Sequence, residues 1–398
     1  MAIHVGNNFC IAPFTQLTFG PNGNYSPCAE IGGRPWKESS ASPVNMWSSQ
    51  QFKELRDDFL SNNQSKICNR CWDQESFGSQ SLRRRLLVSG KFGQKKLIPY
   101  LESEYQIGPQ QLNIMVGNKC NLRCRICCAG SSVTYNAEGK VYEKKFGIKT
   151  QYTTKVKKTV DLTPEQIDEI IDLSTNLKRI EFYGGEPLLD TPTLTLLRKL
   201  IDNGHSQSIV LFYNTNGTVS PTEEHYALWN QFKSIEFNFS IDDIDRRYTY
   251  NRHPGIWEDF LNNITSIRNH DWAIPAEFYT IVTISSINVY YLGEILDRLD
   301  QLNLKPFINP VFGPNYYKIE NLPMQIKSAI HAKLSKYHNA KQFDFVLNML
   351  TSPESAESAE HWQWFKNFTK AKDEYRDESF ADTCPEYYKI LNDYDSEF

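Results

Sequence analysis

No run of about 18 consecutive apolar residues occurs in this 398-residue chain, so no membrane-spanning helix is expected. The leading residues MAIHVGNNFCIAPF lack both a basic segment and a long apolar one, and do not read as a secretory signal. Positive charge is not in excess: 43 Lys and Arg against 47 Asp and Glu give a net charge of −4. Bulk electrostatics therefore gives no reason to expect nucleic-acid binding. The eight histidines show no ligand spacing and are expected on the surface or in packing. With 40% hydrophobic and 23% charged residues, the chain reads as globular and long enough to bury a substantial core. What it does have is cysteine, nine in all. An odd number without a secretion signal points to metal ligation in a reducing cytoplasm rather than to a disulfide framework.

Three of these, Cys120, Cys124 and Cys127, lie in LNIMVGNKCNLRCRICC with spacing C-x3-C-x2-C. The apolar stretch Leu112 to Val116 reads as a strand that delivers them into a loop. Three thiolates on one short loop suit three irons of a [4Fe–4S] cluster and leave the fourth iron open to a small molecule. Cys128 follows Cys127 directly, which suits a further ligand to the same cluster poorly. The spacing alone leaves zinc open, because zinc also takes clustered cysteines. Three later strand-like runs end in Phe182-Tyr183-Gly184-Gly185-Glu186-Pro187, Tyr213-Asn214-Thr215-Asn216-Gly217 and Phe239-Ser240-Ile241-Asp242.

With CxxxCxxC, GGEP, TNG and SID in that order, the segment from Leu112 to Phe312 resembles a radical S-adenosylmethionine (SAM) enzyme. The resemblance implies that the open iron chelates the amino and carboxylate groups of SAM. It implies that Gly184, Gly185, Glu186 and Pro187 meet the SAM amino group, and that Asn214, Asn216, Ser240 and Asp242 hold its ribose and carboxylate. Arg252, in Tyr-Asn-Arg-His-Pro-Gly, would pair with the SAM carboxylate. Each residue also has a plainer reading. Paired glycines let backbone approach a ligand closely or simply turn the chain. Asn-Gly is a turn signal, and Ser240 and Asp242 suit a helix N-cap.

The first hundred residues carry a second cysteine set. Cys10 and Cys28 bracket FCIAPFTQLTFGPNGNYSPC, and Cys68 and Cys71 form Cys-Asn-Arg-Cys. Thr15 to Phe19 reads as a strand, and Pro21-Asn22-Gly23-Asn24 as a turn that brings Cys28 back towards Cys10. Trp47 to Leu60 has helical apolar spacing. Two cysteine pairs make a four-ligand site. A zinc site is one reading. The C-x12-G-x4-C…C-x2-C pattern also resembles the twitch module, the short form of the SPASM domain, which implies an auxiliary [4Fe–4S] cluster.

From Gln111 onward strand-like and helix-like segments alternate. The strand-like runs are Gln111–Val116, Lys178–Tyr183, Ile209–Tyr213, Ile235–Ile241, Glu277–Ile284 and Lys305–Val311. The helical runs are Thr163–Leu173, Thr193–Asn203, Pro221–Phe232, Ile256–Asn269 and Tyr290–Leu302. This predicts an α/β fold, a partial (β/α)6 TIM-like barrel, with the motifs at the C-terminal ends of its strands. The expected organisation is an auxiliary-cluster module over 1–100, a barrel over 108–315 and a C-terminal helical extension over 316–398. Residues 129–160, lysine- and tyrosine-rich, read as an insertion, by preference a solvated loop, with a hairpin or a lid over the site as the alternative. Arg83 through Lys96 reads as a helix and linker. Trp362, Trp364, Phe365 and Phe368 are expected to dock the tail. Cys384 reads as an ordinary cysteine.

The implied chemistry is reduction by a flavodoxin or ferredoxin, cleavage of SAM to a 5′-deoxyadenosyl radical, and hydrogen abstraction from a peptide or small-molecule substrate. An auxiliary cluster with four ligands would accept an electron, making the net reaction an oxidation. Peptide modification is the expected outcome, with oxidation of a carbohydrate or nucleotide sugar as the alternative. A non-catalytic iron–sulfur or zinc scaffold is the alternative from another class.

Overall fold

The computed structural model describes residues 6–19, 25–31, 43–88, 108–148, 161–337 and 340–398. Its strands are β1 (Gln16–Phe19), β2 (Tyr25–Ser26), β3 (Gln111–Met115), β4 (Arg179–Tyr183), β5 (Val210–Thr215), β6 (Ser234–Ser240), β7 (Ala276–Ile284) and β8 (Pro306–Pro310). They form one sheet in the order β2-β1-β3-β4-β5-β6-β7-β8. Only β1 and β2 pair antiparallel; every other pair is parallel. The six expected strands are all present as a partial α/β barrel. The sheet gains two more from the N-terminal region, because Gln16–Phe19 adds in parallel beside β3. Turn residues 21–24 lie outside the described residues.

Helices cross between the parallel strands: Pro164–Leu173, Thr191–Asp202, Glu223–Trp229, Asp245–Asn251 followed by Trp257–Arg268, and Leu292–Gln301. Their starts follow local capping. Thr163 and Gln166 form the reciprocal box expected from the sequence, which satisfies two orphan donors of the first turn. The helix expected to open at Pro221 begins at Glu223, because Thr222 and His225 form a capping box there. Gly204 ends its helix at φ +72°, as a left-handed cap requires.

The strands alternate in a way that decides what the barrel contains. In β4, Ile180 and Phe182 are fully buried, and so are Leu112 and Ile114 in β3, Leu211 in β5 and Ile235, Phe237 and Phe239 in β6. These face the helices. The intervening residues share the other face by register: Gln16, Gln111 and Arg179, then Thr18, Asn113 and Glu181, then Asn214 and Asn238. The interior is therefore polar and hollow, whereas an ordinary eight-stranded barrel fills it with branched apolar side chains.

Two flanking regions complete the molecule. Phe9, Ile11, Phe14, Ile31, Leu55 and Phe59 form a small core of their own around Cys10 and Cys28. The rest of that region joins the main core through Leu17, Phe19, Trp47 and Phe52. The helical run expected from Trp47 is two helices, Pro43–Trp47 and Gln50–Leu60; Ser49 caps the second by accepting from Phe52 N at 3.3 Å. At the other end, Trp362, Phe365 and Phe368 of the helix Ser358–Arg376 are buried in the main core, as the aromatic cluster suggested. The insertion is neither hairpin nor open lid where it is described. Residues Tyr135–Phe146 form a helix, and its Tyr142 packs edge-on to Phe368 and Tyr375. Residues 149–160 lie outside the described residues. The basic run after Leu82 is helical through Val88, and the rest of it is likewise outside.

Candidate active site

Cys120, Cys124 and Cys127 sit on the loop that leaves β3, each partly exposed. The loop is shaped by contacts that come from distant sequence. Gly184 has φ +81°, and a Cβ there would lie 2.9 Å from the Gly117 carbonyl oxygen. Gly185 has φ +25°, and its Cβ would be driven into the Lys119 carbonyl. The backbone approach expected of these glycines is thus to the cysteine loop itself, sealed by Glu186 N donating to Lys119 O at 2.7 Å.

Glu186 is fully buried. Its Oε1 accepts from Leu188 N at 3.1 Å and Thr215 Oγ1 at 2.8 Å, and its Oε2 accepts from Asn216 N at 2.7 Å. Burial pushes its pKa up against these bonds. The carboxylate is chiefly a tie between the GGEP and TNG turns, where the sequence suggested an acceptor for a bound ammonium. Through that tie Asn216 is positioned: its Nδ2 donates to Asn121 Oδ1 at 2.9 Å and reaches Cys120 Sγ at 3.8 Å. Pro187 is buried at the start of the following turn. Asn214 instead faces the barrel interior and accepts from Asn238 Nδ2 at 2.8 Å.

Ser240 closes β6. Asp242 beyond it has φ +62°, accepts from Thr283 N at 2.9 Å and pairs with Arg252. Arg252 is buried; desolvation opposes its charge, but Cys124 and Asp242 outweigh that and raise its pKa. Its Nε has no hydrogen-bond partner and stands beside the Tyr248 hydroxyl. A buried guanidinium N–H without an acceptor, next to a thiol-bearing loop, fits the carboxylate that SAM would bring. Burial and neighbouring Cys124 push the Cys120 thiol up to about 12, and burial, with Cys128 beside it, raises Cys127 well above its ordinary value. Thiols arranged this way become thiolates only on binding a cation, so the donor set fits a metal cluster.

The middle of the loop is gripped from behind by the helix Ser358–Arg376 and by Glu378 just beyond it, a role the sequence reading missed. Arg376 donates to Arg123 O at 2.7 Å and pairs with buried Glu138 through Nε at 3.0 Å. Arg125 is buried, donates to Tyr250 O at 2.9 Å and pairs with Asp373 and Glu378 at 2.5 Å each. Lys372 Nζ donates to Arg125 O and to Tyr317 Oη. His253, expected as a surface or packing residue, bridges Glu378 at 2.7 Å and Arg123 at 3.0 Å. Charged residues interleaved with and following the tail's aromatics, Lys366, Lys372, Asp373 and Arg376, were the available signal. Cys384 is buried at a helix junction near Asp243 and Arg247, well within ordinary packing.

The N-terminal cysteines do come together. Cys10, Cys28, Cys68 and Cys71 line one cavity with Glu30, Ile31, Arg70 and Arg83. Burial raises the pKa of all four, and the thiols raise one another: Cys68 and Cys71 act on Cys10, and Cys10 and Cys71 on Cys28. Among the described residues, no three His, Cys, Asp or Glu side chains converge on a single-ion site. Arg83, read as part of a basic linker, is buried. It donates to Phe9 O at 2.9 Å and Asn7 O at 2.7 Å and pairs with Glu75, fastening the cysteine turns. The cavity adjoins the barrel interior through Glu30 and Arg70, which line both.

Residues 114–299 match the family model described as the Radical SAM superfamily, a little under half the chain. The radical SAM cyclopropyl synthase TigE of Paramaledivibacter caminithermalis is 24% identical over 230 residues, 58% of this chain and 47% of that protein. The chain thus spans about half the length of that relative. An uncharacterized protein of Methanocaldococcus jannaschii is 25% identical over 252 residues, 61% of this chain and 72% of its own. Among solved structures, native anSMEcpe with bound AdoMet aligns with 59% of this chain and 60% of its own, at TM-score 0.40 and 17% identity. Streptococcus suis SuiB bound to S-adenosylmethionine aligns with 71% and 62%, at TM-score 0.39 and 12% identity. No helix among the described residues is long and apolar enough to cross a membrane.

Proposed function

We propose that the chain, whose residues 114–299 match the family model described as the Radical SAM superfamily, is a SAM-cleaving enzyme that oxidises a substrate held in the barrel interior. Cys120, Cys124 and Cys127 would hold a [4Fe–4S] cluster, and Arg252 Nε would receive the SAM carboxylate. Asn216, fixed by Glu186, and Asp242, fixed by Thr283 N, set the flanking strand ends. Cluster and SAM, when bound and reduced by a flavodoxin or ferredoxin, would supply radical chemistry capable of abstracting hydrogen from a substrate. The protein's own work is to orient that substrate and keep water out. Cys10, Cys28, Cys68 and Cys71 would hold a second [4Fe–4S] cluster, within a twitch-like module over 1–100, whose chemistry would be electron acceptance during substrate oxidation. The substrate is read as a peptide.

The observation that carries this reading is one loop at the C-terminal strand ends whose three thiols act electrostatically on one another, beside a buried Arg252 Nε that lacks an acceptor. The test is anaerobic reconstitution followed by dithionite and SAM, with 5′-deoxyadenosine measured by chromatography. Turnover in the wild type and its loss in Cys124→Ala support the reading; no 5′-deoxyadenosine from a fully loaded wild type overturns it.

A further inference from the structure

A cavity of about 200 Å³ lies where the N-terminal region, the end of the barrel and the tail meet. The helix Asn69–Ser76, the segment following β8 and the helix Asp344–Leu350 border it. It shares no lining residue with the barrel interior or with the cavity of the N-terminal cysteines. Phe77, Val311, Phe312 and Met349 give it an apolar wall. At about 30 Å³ for each water-sized group, it has room for about six non-hydrogen atoms.

The polar part of the lining has acceptors to spare. Gln74 is 5% exposed, and its Oε1 has no hydrogen-bond partner. Glu320 Oε2 is likewise buried and unpartnered. Of the side chains that line this cavity, these two carry the buried polar atoms without a partner, and both atoms are acceptors. Asp73 adds a second carboxylate, and Lys318 is the one cationic side chain on the described lining. Lys318 is near enough to act on Glu320, yet Glu320 Oε2 has no donor. Lys327, also close, is engaged by backbone: its Nζ donates to Glu320 O at 3.1 Å and to Ser352 O at 2.6 Å. Burial, with Asp73 adding to it, pushes the Glu320 pKa up against its own backbone N–H and both lysines. Asp73, Glu320 and Lys318 together leave one negative charge over. Buried acceptors without donors cost free energy, and here they suit a ligand that both donates and carries positive charge.

We infer that this cavity binds an alkylammonium group, with Gln74 Oε1 and Glu320 Oε2 accepting from its nitrogen and its carbon stem lying along Phe77, Phe312 and Met349. A compact head with three rotatable donors reaches separate acceptors, where a planar guanidinium fork wants both oxygens of one carboxylate. Aromatic faces add attraction for a cation. A stem of about five carbons is what the volume admits. A lysine side chain and a free alkylamine both present this head and stem, and the test separates the two. The inference stands apart from the SAM-cleaving reading, because none of its residues belongs to the cysteine loop or the barrel interior.

The test titrates the reconstituted full chain by calorimetry at neutral pH with n-pentylammonium, with its neutral counterpart n-pentanol, and with acetyl-lysine methylamide. Saturable binding of an amine, at least about tenfold tighter than that of pentanol, supports the site. That binding is expected to weaken about tenfold in Gln74→Met and by at least as much in Glu320→Gln. Acetyl-lysine methylamide binding as tightly as pentylammonium, or more so, assigns the site to a polypeptide side chain; weaker binding assigns it to a free amine. No binding of either amine, pentanol binding as tightly as pentylammonium, or full affinity in either variant overturns the inference. The comparison of amine with alcohol needs only wild-type protein, so a poorly folding Gln74→Met leaves a decisive measurement. Wild-type 5′-deoxyadenosine formation is measured in parallel. Its presence with failed amine binding sinks only this site, whereas its absence sinks the SAM-cleaving reading.

Discussion

The two cysteine sites are built on opposite plans. The loop site takes Cys120, Cys124 and Cys127 from one short stretch, but depends for its shape on Gly185, Glu186, Arg252 and Arg376, far away in sequence. The N-terminal site takes its thiols from separated turns between Cys10 and Cys71 and is held from within the same N-terminal region, by a small apolar core of its own and by Arg83 donating to Phe9 O. A site that keeps one iron open for a ligand needs its loop aimed at that ligand, so the surrounding barrel does the aiming. A site that closes on itself needs only enclosure. The loop site should therefore be sensitive to distant substitutions, and the N-terminal site to local ones.

The sharpest break in that comparison comes from the ligands. Cys120→Ala/Cys124→Ala/Cys127→Ala is expected to abolish SAM cleavage and lower iron from about eight to about four per chain. Cys68→Ala/Cys71→Ala is expected to remove the other four or so and keep the SAM-induced change in the EPR spectrum. Iron analysis and EPR on the two variants check this. Loss of both signals in either variant would mean that the sites are not separate.

Next in size is the grip of the C-terminal helix. Arg376→Met takes from buried Glu138 its nearest cation and leaves it the Tyr142 hydroxyl and Arg123 at 3.5 Å. The loss is therefore expected near the lower end of the about 3–5 kcal/mol for a broken buried pair, whereas Arg376→Met/Glu138→Leu recovers most of it. Chemical denaturation measures both. If Arg376→Met lowers stability no more than an exposed substitution, the loop is not held from behind.

Smaller again is Gly185→Ala. Positive φ at a non-glycine residue adds about 1–3 kcal/mol of strain, and the Lys119 carbonyl must also move. SAM cleavage is expected to fall at least tenfold with iron content retained. Gly204→Ala shares the positive φ but meets nothing within 4 Å, so it reports backbone strain without loop displacement.

Much of this was legible beforehand, for physical reasons that can be named. Strand and helix periods placed all six parallel strands, and Thr163-Pro164-Glu165-Gln166 marked its helix start because capping is a local interaction. Long-range closures were not legible. Nothing near Gly185 in sequence announces that Lys119 lies against it, so the glycines looked like ligand contacts rather than packing contacts. Nor does any local rule bring Arg376 to Arg123. The polar lumen was readable but missed: Arg-Ile-Glu-Phe-Tyr in β4 and Ile-Glu-Phe-Asn-Phe-Ser in β6 alternate polar with apolar, which a filled barrel core would not do.

The smallest expected effect concerns acid. Arg376 and Tyr142, working against burial, hold Glu138 below the ordinary glutamate pKa; His253 and Arg125 do the same for Glu378. A depressed folded pKa favours the folded state once pH exceeds the unfolded value, near 4.3, and that contribution is lost as pH falls through the lower folded value. At neutral pH Glu378→Gln should lower stability by only about 1–2 kcal/mol, since Arg125 keeps Asp373. Below about pH 4 the difference from wild type should shrink, because the native carboxylate is itself taking up its proton. Thermal unfolding from pH 7 down to about pH 3 follows this. The N-terminal side offers the parallel case, Glu75→Gln, because Arg83 and Ser81 likewise lower Glu75 against burial. If the loop site is the one aimed from a distance, Glu378→Gln should change the SAM-induced EPR shift as well as stability. Glu75→Gln should change stability alone. The same spectral response in both variants would remove the distinction between a site that is aimed and one that is enclosed.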